Sequence, residues 1–303
     1  MALPIYATPL DRLTYYGFRI FCGLVFLFLI APILIIIPLS FNAEPYFTYT
    51  KAMLTLDPAA FSMRWYDRLL TFGMANPDAP RDMAWWWDVW NNAQWVHAAK
   101  NSIIIGVSST ILATVLGTIA ALGLSKKEMP FRKLIMALLI SPMIVPLIIT
   151  ATGLFFFYSA TGLAHTYIGI IMAHATLGIP FVIITVTATL VGFDHSLTRA
   201  AANLGAPPST IFFKVMLPLI TPGVISGALF AFVTSFDEVV VVLFVGSFDQ
   251  QTIPRQMWNG IREQISPSIL AAATILVLFS IALLTAVELL RRRSERLRGV
   301  TPA

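Results

Sequence analysis

Six long apolar blocks, at residues 17–41, 101–124, 134–157, 167–191, 219–245 and 269–290, constrain what this chain can fold into more than any other feature. Each exceeds the roughly 20 residues that cross a ~30 Å hydrocarbon core. Apolar runs of this length lack the alternation of a half-buried strand and the narrow stripe of a soluble amphipathic helix. They predict an all-α integral membrane protein with about six transmembrane helices, because a spanning helix satisfies its own backbone groups in lipid. With 57% hydrophobic and 12% charged residues, the composition has the bilayer rather than water as its solvent.

The charges that remain report orientation. Of 20 lysines and arginines, 13 (Arg12, Arg19, Lys126, Lys127, Arg132, Lys133, Arg199, Lys214, Arg291, Arg292, Arg293, Arg296 and Arg298) fall on one side of the six-span topology. Most of the others fall in one long loop, where the positive-inside rule has little force. Both termini are expected to be cytoplasmic. This divides the chain into a cytoplasmic segment 1–16, a first span 17–41, a long periplasmic segment 42–100, a core of five spans over 101–290 and a basic cytoplasmic tail 291–303. The first block is too long for a signal-peptide core and is expected to remain attached. The net charge of +5 sits at span ends and forms no aromatic-interleaved face, so no nucleic-acid partner is expected, only membrane lipid.

Segment 42–100 carries WWWDVW at 85–90. Tryptophans at the flank of a span point first to a helix lying among lipid headgroups, with a docking face for a partner as the alternative. Prolines and glycines inside the spans (Pro142, Pro146, Gly153, Gly178, Pro180, Pro222, Gly223, Gly227) read as breaks that a moving pathway tolerates.

Chemistry is scarce. The one cysteine, Cys22, permits no disulfide, and His97, His165, His174 and His195 lack metal-ligand spacing. No G-x-x-x-x-G-K-[ST] occurs, so the chain has no phosphate-cradling loop of its own, and no catalytic residues, metal or cofactor are expected on it. Asp237 and Glu238 stand inside the fifth block. A carboxylate there costs ~2.5 kcal/mol or more on insertion scales, so it faces protein or a wet cavity. They are candidates for the solute pathway or its gate. On a continuous helix they project about 100° apart. Phe232 and Phe236, four apart, share a face and either stack on a ligand or pack against a helix.

The most informative stretch is FDHSLTRAAANLGAPPSTIFFKVMLPLITPG, residues 193–223. A slim helix through Ala200, Ala201 and Ala202 is ended by Gly205 and blocked by Pro207 and Pro208. Ser209 is a plausible cap for a second helix over 211–216 that stops before Pro218. The product is a cytoplasmic helix-turn-helix coupling loop, residues 193–218.

At these residues the chain resembles the binding-protein-dependent ABC importer permeases. Their loop reads E-A-A, three residues, G, nine residues, I-x-L-P. Here Arg199, Ala200 and Ala201 are followed by Gly205 and then by Val215, Met216, Leu217 and Pro218, with Arg199 in place of the glutamate. The resemblance runs from residue 101 to the end, through ISPMIVP, LGIPFVIITV and SFDEVVVVLFVG. The segment QTIPRQMWNGIREQISPSILAAATILV resembles the spermidine/putrescine permeases in particular. It implies a type I ABC importer permease fold and an ATPase-coupling role for Arg199, Ala200, Ala201, Gly205, Leu217 and Pro218. It also implies a second permease subunit, two ATPase subunits that hold ATP and Mg, and a periplasmic substrate-binding protein. A polyamine-like cation is the expected solute, with an opine, amino-acid derivative or phosphonate as alternatives. The competing function is an ion-coupled secondary transporter using Asp237 or Glu238.

Overall fold

The computed structural model describes residues 8–126, 128–263 and 265–297, so Lys127, Arg298 and the ends of segments 1–16 and 291–303 lie outside the described residues. In chain order the helices are α1 (Pro9–Leu39), α2 (Lys51–Leu54), α3 (Arg64–Thr71), α4 (Met83–Asn92), α5 (Gln94–Ser125), α6 (Arg132–Ile144), α7 (Leu147–Thr161), α8 (Tyr167–Val191), α9 (Ser196–Asn203), α10 (Pro208–Ile211), α11 (Leu217–Phe236), α12 (Val240–Val245), α13 (Ile253–Glu263) and α14 (Ser268–Leu297). A 3-10 turn covers Pro58–Ala60 and a π turn covers Phe212–Met216.

Five helical stretches among the described residues are continuous, long and apolar enough to cross a membrane. The third block is not one of them. It is two helices, α6 and α7, bent by 102° at a break that contains Pro146. Pro146 has no N–H, and a proline pushes the residue before it into extended backbone, as at Val145 with ψ 135°. The fifth block is also discontinuous: α11 ends at Phe236, and α12 begins only at Val240.

The chain forms two compact units. In Met1–Phe72 with Gly260–Ala303, α1 and α3 pack on α14. Buried Leu39, Met53 and Ala60 form a small core there. The buried Asn42 side chain donates to the carbonyls of Tyr46 and Thr48, both at 3.1 Å, while the Asn42 carbonyl accepts from Trp65 Nε1 at 2.7 Å. The segment 42–100 is therefore folded locally and divides between the two units.

The unit Gly73–Asn259 is built on α5, α8 and α11, which pack closely on one another. Small residues make this possible. A Cβ on Gly178 would stand 2.9 Å from Ala231 Cβ and 3.2 Å from Ala113 Cβ, and one on Gly227 would stand 2.8 Å from Val182 Cα. Close approach of small residues substitutes for the hydrophobic drive that lipid does not supply. Most of the glycines and prolines expected to break spans do not do so. Gly178, Gly223 and Gly227 are contact points, and Pro180 and Pro222 lie inside unbroken helices; Pro146 alone marks a break.

Candidate functional site: the split fifth span and the 193–218 loop

α12 is only six residues long, yet Val241, Val242 and Val245 are fully buried against Ile105, Ala151, Tyr158 and Ile170. A buried helix of this length has nearly all its terminal N–H and C=O groups unpaired unless something supplies partners. Glu238 does so at the start. It is buried, and its Oε1 accepts the Val241 N–H at 2.9 Å. Arg255, from α13, does so at the end, donating from Nη1 to Val242 O and Ser247 O, each at 2.9 Å. The His165 N–H adds a bond to Val245 O at 2.8 Å. An acid at the N-terminus and a cation at the C-terminus both complement the helix dipole. Burial pulls the Arg255 guanidinium below its usual pKa, and its Nε is left without a partner.

The geometry corrects the expected placement of the two acids. They are not neighbours on a helix. Asp237 caps the end of α11, its N–H bonding to Val233 O, and is exposed, whereas Glu238 turns inward to start α12. The break separates their roles. Phe232 and Phe236 do share a face, with ring centroids 5.4 Å apart and planes 26° apart, and they lie against Gly106 of α5. Next to Phe236 in α11, Ser235 Oγ lies 2.8 Å from His174 Nδ1 and 2.9 Å from Ser109 Oγ, a buried polar knot joining α11, α8 and α5. His174 Nε2 has no partner.

Beyond α12, the 246–252 loop is strapped to α5 and α8. Asn101 Nδ2 donates to Asp249 O and Gln251 O, Tyr167 Oη donates to Asn101 Oδ1, and Ser102 Oγ accepts the Ile253 N–H. None of these strap residues, nor Arg255, was a sequence candidate.

At the other end of α8, Asp194 accepts from Ser196 N–H and Ser196 Oγ at 2.8 and 2.7 Å, and these bonds hold its carboxyl below the usual range, with a smaller contribution from Arg199. α9 then presents Arg199 and Ala200 outward. It ends in a Schellman turn: Gly205 N–H to Ala202 O at 2.9 Å and Ala206 N–H to Ala201 O at 3.1 Å, with Gly205 at φ +79°. Leu204, beside it, is 88% exposed. The second helix departs from expectation. It starts at Pro208 with Pro207 as its cap residue, and it does not stop before Pro218. It widens into the π turn and runs straight into α11. The cause is Pro218, which has no N–H and whose ring crowds the carbonyl four residues back; a π turn opens the space. Leu217 packs on the α5–α8–α11 core, and Pro218 is exposed at its edge.

Residues 113–296 match the family model of the binding-protein-dependent transport system inner membrane component. The chain is 30% identical over 275 residues to the spermidine/putrescine transport system permease protein PotC of Haemophilus influenzae, covering 91% of this chain and 96% of that one. It is 30% identical over 263 residues to the putrescine transport system permease protein PotI of Escherichia coli K12, covering 83% and 82%. In fold it is similar, with TM-score 0.67 and 18% identity over 94% of this chain and 99% of the other, to a chain of a bacterial ABC transporter involved in the import of the acidic polysaccharide alginate. Membership in this family displaces the ion-coupled alternative. This chain belongs to the binding-protein-dependent transport system inner membrane components, as a multi-pass permease subunit of an ABC importer.

Proposed function

We propose that this permease carries a polyamine-like cation, with Asp237 as the acid that meets it in the pathway. The observation that carries the reading is the likeness to spermidine/putrescine and putrescine permeases over most of both chains. Asp237 adds a chemical reason: it is a carboxylate exposed at the break of a spanning segment, while Glu238 beside it is occupied with the α12 backbone. In this reading the chain works beside a second permease subunit, a periplasmic binding protein delivers the solute, and two ATPase subunits hold ATP and Mg. The chain itself catalyses nothing. Both termini and the 193–218 loop face the cytoplasm, and segment 42–100 faces the periplasm.

The loop is the contact for the ATPases. Arg199, Ala200 and Ala201 form its outward helix, Gly205 turns it, and exposed Leu204 gives the tip an apolar knob. Because α10 continues through the π turn into Leu217, Pro218 and α11, a push on the loop is delivered along one continuous rod to the Asp237 break. Rigid-body tilting of that rod exchanges the inward-facing and outward-facing states.

The test is labelled spermidine uptake by the complete importer reconstituted in vesicles. Asp237→Asn should raise the KM for spermidine about tenfold, ~1.4 kcal/mol, with the complex still assembled. An unchanged KM removes Asp237 from the pathway; absence of polyamine uptake by the wild type removes the substrate assignment.

A further inference from the structure

The helix α4 is divided into three faces. At about 100° per residue, Met83, Trp86, Trp87 and Trp90 fall within an arc of about 100°. They are 84%, 50%, 70% and 55% exposed. Trp85 and Val89 occupy the adjacent arc and are buried, with Trp85 Nε1 donating to Pro77 O at 3.2 Å. Asp88, Asn91 and Asn92, with the small Ala84 among them, occupy the remainder. One face is thus committed to the protein, one is polar, and one is an uncovered stripe of three indoles and a thioether.

α4 is joined to the membrane. Its last residue is Asn92, and α5, a span, starts at Gln94, with buried Ala93 as the single residue between them. Lys100, on the second turn of α5, reaches back across that joint. Its Nζ donates to Trp90 O and sits 4.6 Å from the Trp90 ring centroid. The brace satisfies a terminal carbonyl of α4 and keeps the helix from swinging on its one-residue hinge. The uncovered stripe is therefore held where a span enters the bilayer.

We infer that the Met83, Trp86, Trp87 and Trp90 face of α4 lies in the phospholipid boundary of the leaflet at which α5 begins, as an interfacial anchor that fixes the depth of that end of α5. Continuity with the span supplies the location. The chemistry of the stripe supplies the occupant: the indole N–H groups of Trp86, Trp87 and Trp90 donate to no acceptor among the described residues, and phospholipid ester and phosphate oxygens accept such donors while the rings sit on the upper acyl chains. The neighbouring polar arc of Asp88, Asn91 and Asn92 faces water in the same orientation, as an interfacial helix requires.

Brominated phosphatidylcholine vesicles provide the test. The complete importer, wild type and with Trp86, Trp87 and Trp90 all changed to Phe, is reconstituted in lipid brominated either high on the acyl chain or near its end. The difference in emission between the two proteins belongs to these three indoles. It should be quenched more by the shallow bromines than by the deep ones, and little by aqueous iodide. Quenching by iodide without quenching by bromolipid would put the face in water, and quenching by neither would put it under a protein partner; either result overturns the anchor. If the triple variant does not assemble, the three single Trp→Phe variants give the same three readings.

Discussion

Glu238 and Arg255 hold opposite ends of the same six-residue helix: the carboxylate accepts the Val241 N–H at 2.9 Å, and the guanidinium donates to Val242 O at 2.9 Å. The short second part of the split fifth span is thus suspended between two charged side chains. One comes from the break itself and the other from α13. Neighbouring acids in the sequence consequently have unlike duties, Glu238 in holding the backbone and Asp237 outside that packing.

Glu238→Ala should cost stability rather than affinity. A lost cap is worth roughly 0.5–2 kcal/mol, at the upper end where the freed N–H is buried. Thermal unfolding of the purified complex should shift downward, with the KM for solute unchanged in the assembled fraction. Glu238→Gln, which retains an acceptor, should lose less. A selective rise in KM would instead make Glu238 a solute contact.

Arg255→Gln shortens the clamp: Val242 O keeps only its bond from the Gly246 N–H, and Ser247 O, just beyond α12, loses the guanidinium donor, a cost of about 1–3 kcal/mol. Hydrogen exchange should report it locally, as faster exchange over residues 240–246. Arg255→Lys should give an intermediate rate, because the ammonium keeps the charge but ends one bond short of the Nη1 that reaches both carbonyls. Equal exchange in all three proteins would show that the clamp does not hold the helix.

Gly205 stands at φ +79° with open space around its missing Cβ, so conformation rather than crowding demands glycine there. Gly205→Val should therefore distort the turn and abolish ATPase recovery with the complex. Gly205→Asn, tolerated in left-handed backbone, should retain most of it. Loss in both variants would point to a steric requirement imposed by the partner.

Gly178→Leu forces a branched side chain into a gap where even a Cβ would lie 2.9 Å from Ala231. Overpacking of this kind costs typically about 1–3 kcal/mol or more. The variant should lower the yield of monodisperse permease in mild detergent, and Gly153→Leu, in open space on α7, should not.

Hydropathy alone located the membrane-crossing blocks, since the need to satisfy every backbone group in lipid leaves helices as the only use for such runs. It could not locate the interruptions. Val145–Pro146 is as apolar as its surroundings and Asp237–Val239 is only three residues within a long apolar block; the first breaks because of proline sterics, the second because of a buried carboxylate that offers the backbone a better partner than the next helical turn. The spacing of Ala200, Ala201, Gly205 and Pro218 announced the turn, which is local chemistry. The π turn was hidden, because Pro218 acts on a carbonyl four residues back in a helix whose continuation the sequence does not declare. Arg255, Asn101 and Ser235 were illegible for another reason: their partners lie 13, 148 and 61 positions away, so only the folded bundle brings them together.

If this chain is one part of an ATP-driven polyamine importer, purification of the tagged protein in mild detergent should bring the other parts with it. Co-purifying proteins are identified by mass spectrometry, and ATP hydrolysis is assayed with and without spermidine-loaded binding protein. A second permease and an ATPase subunit should be recovered, with hydrolysis stimulated by the loaded binding protein. Recovery of the chain alone, without ATPase activity and with uptake driven by a proton gradient, would contradict that assignment.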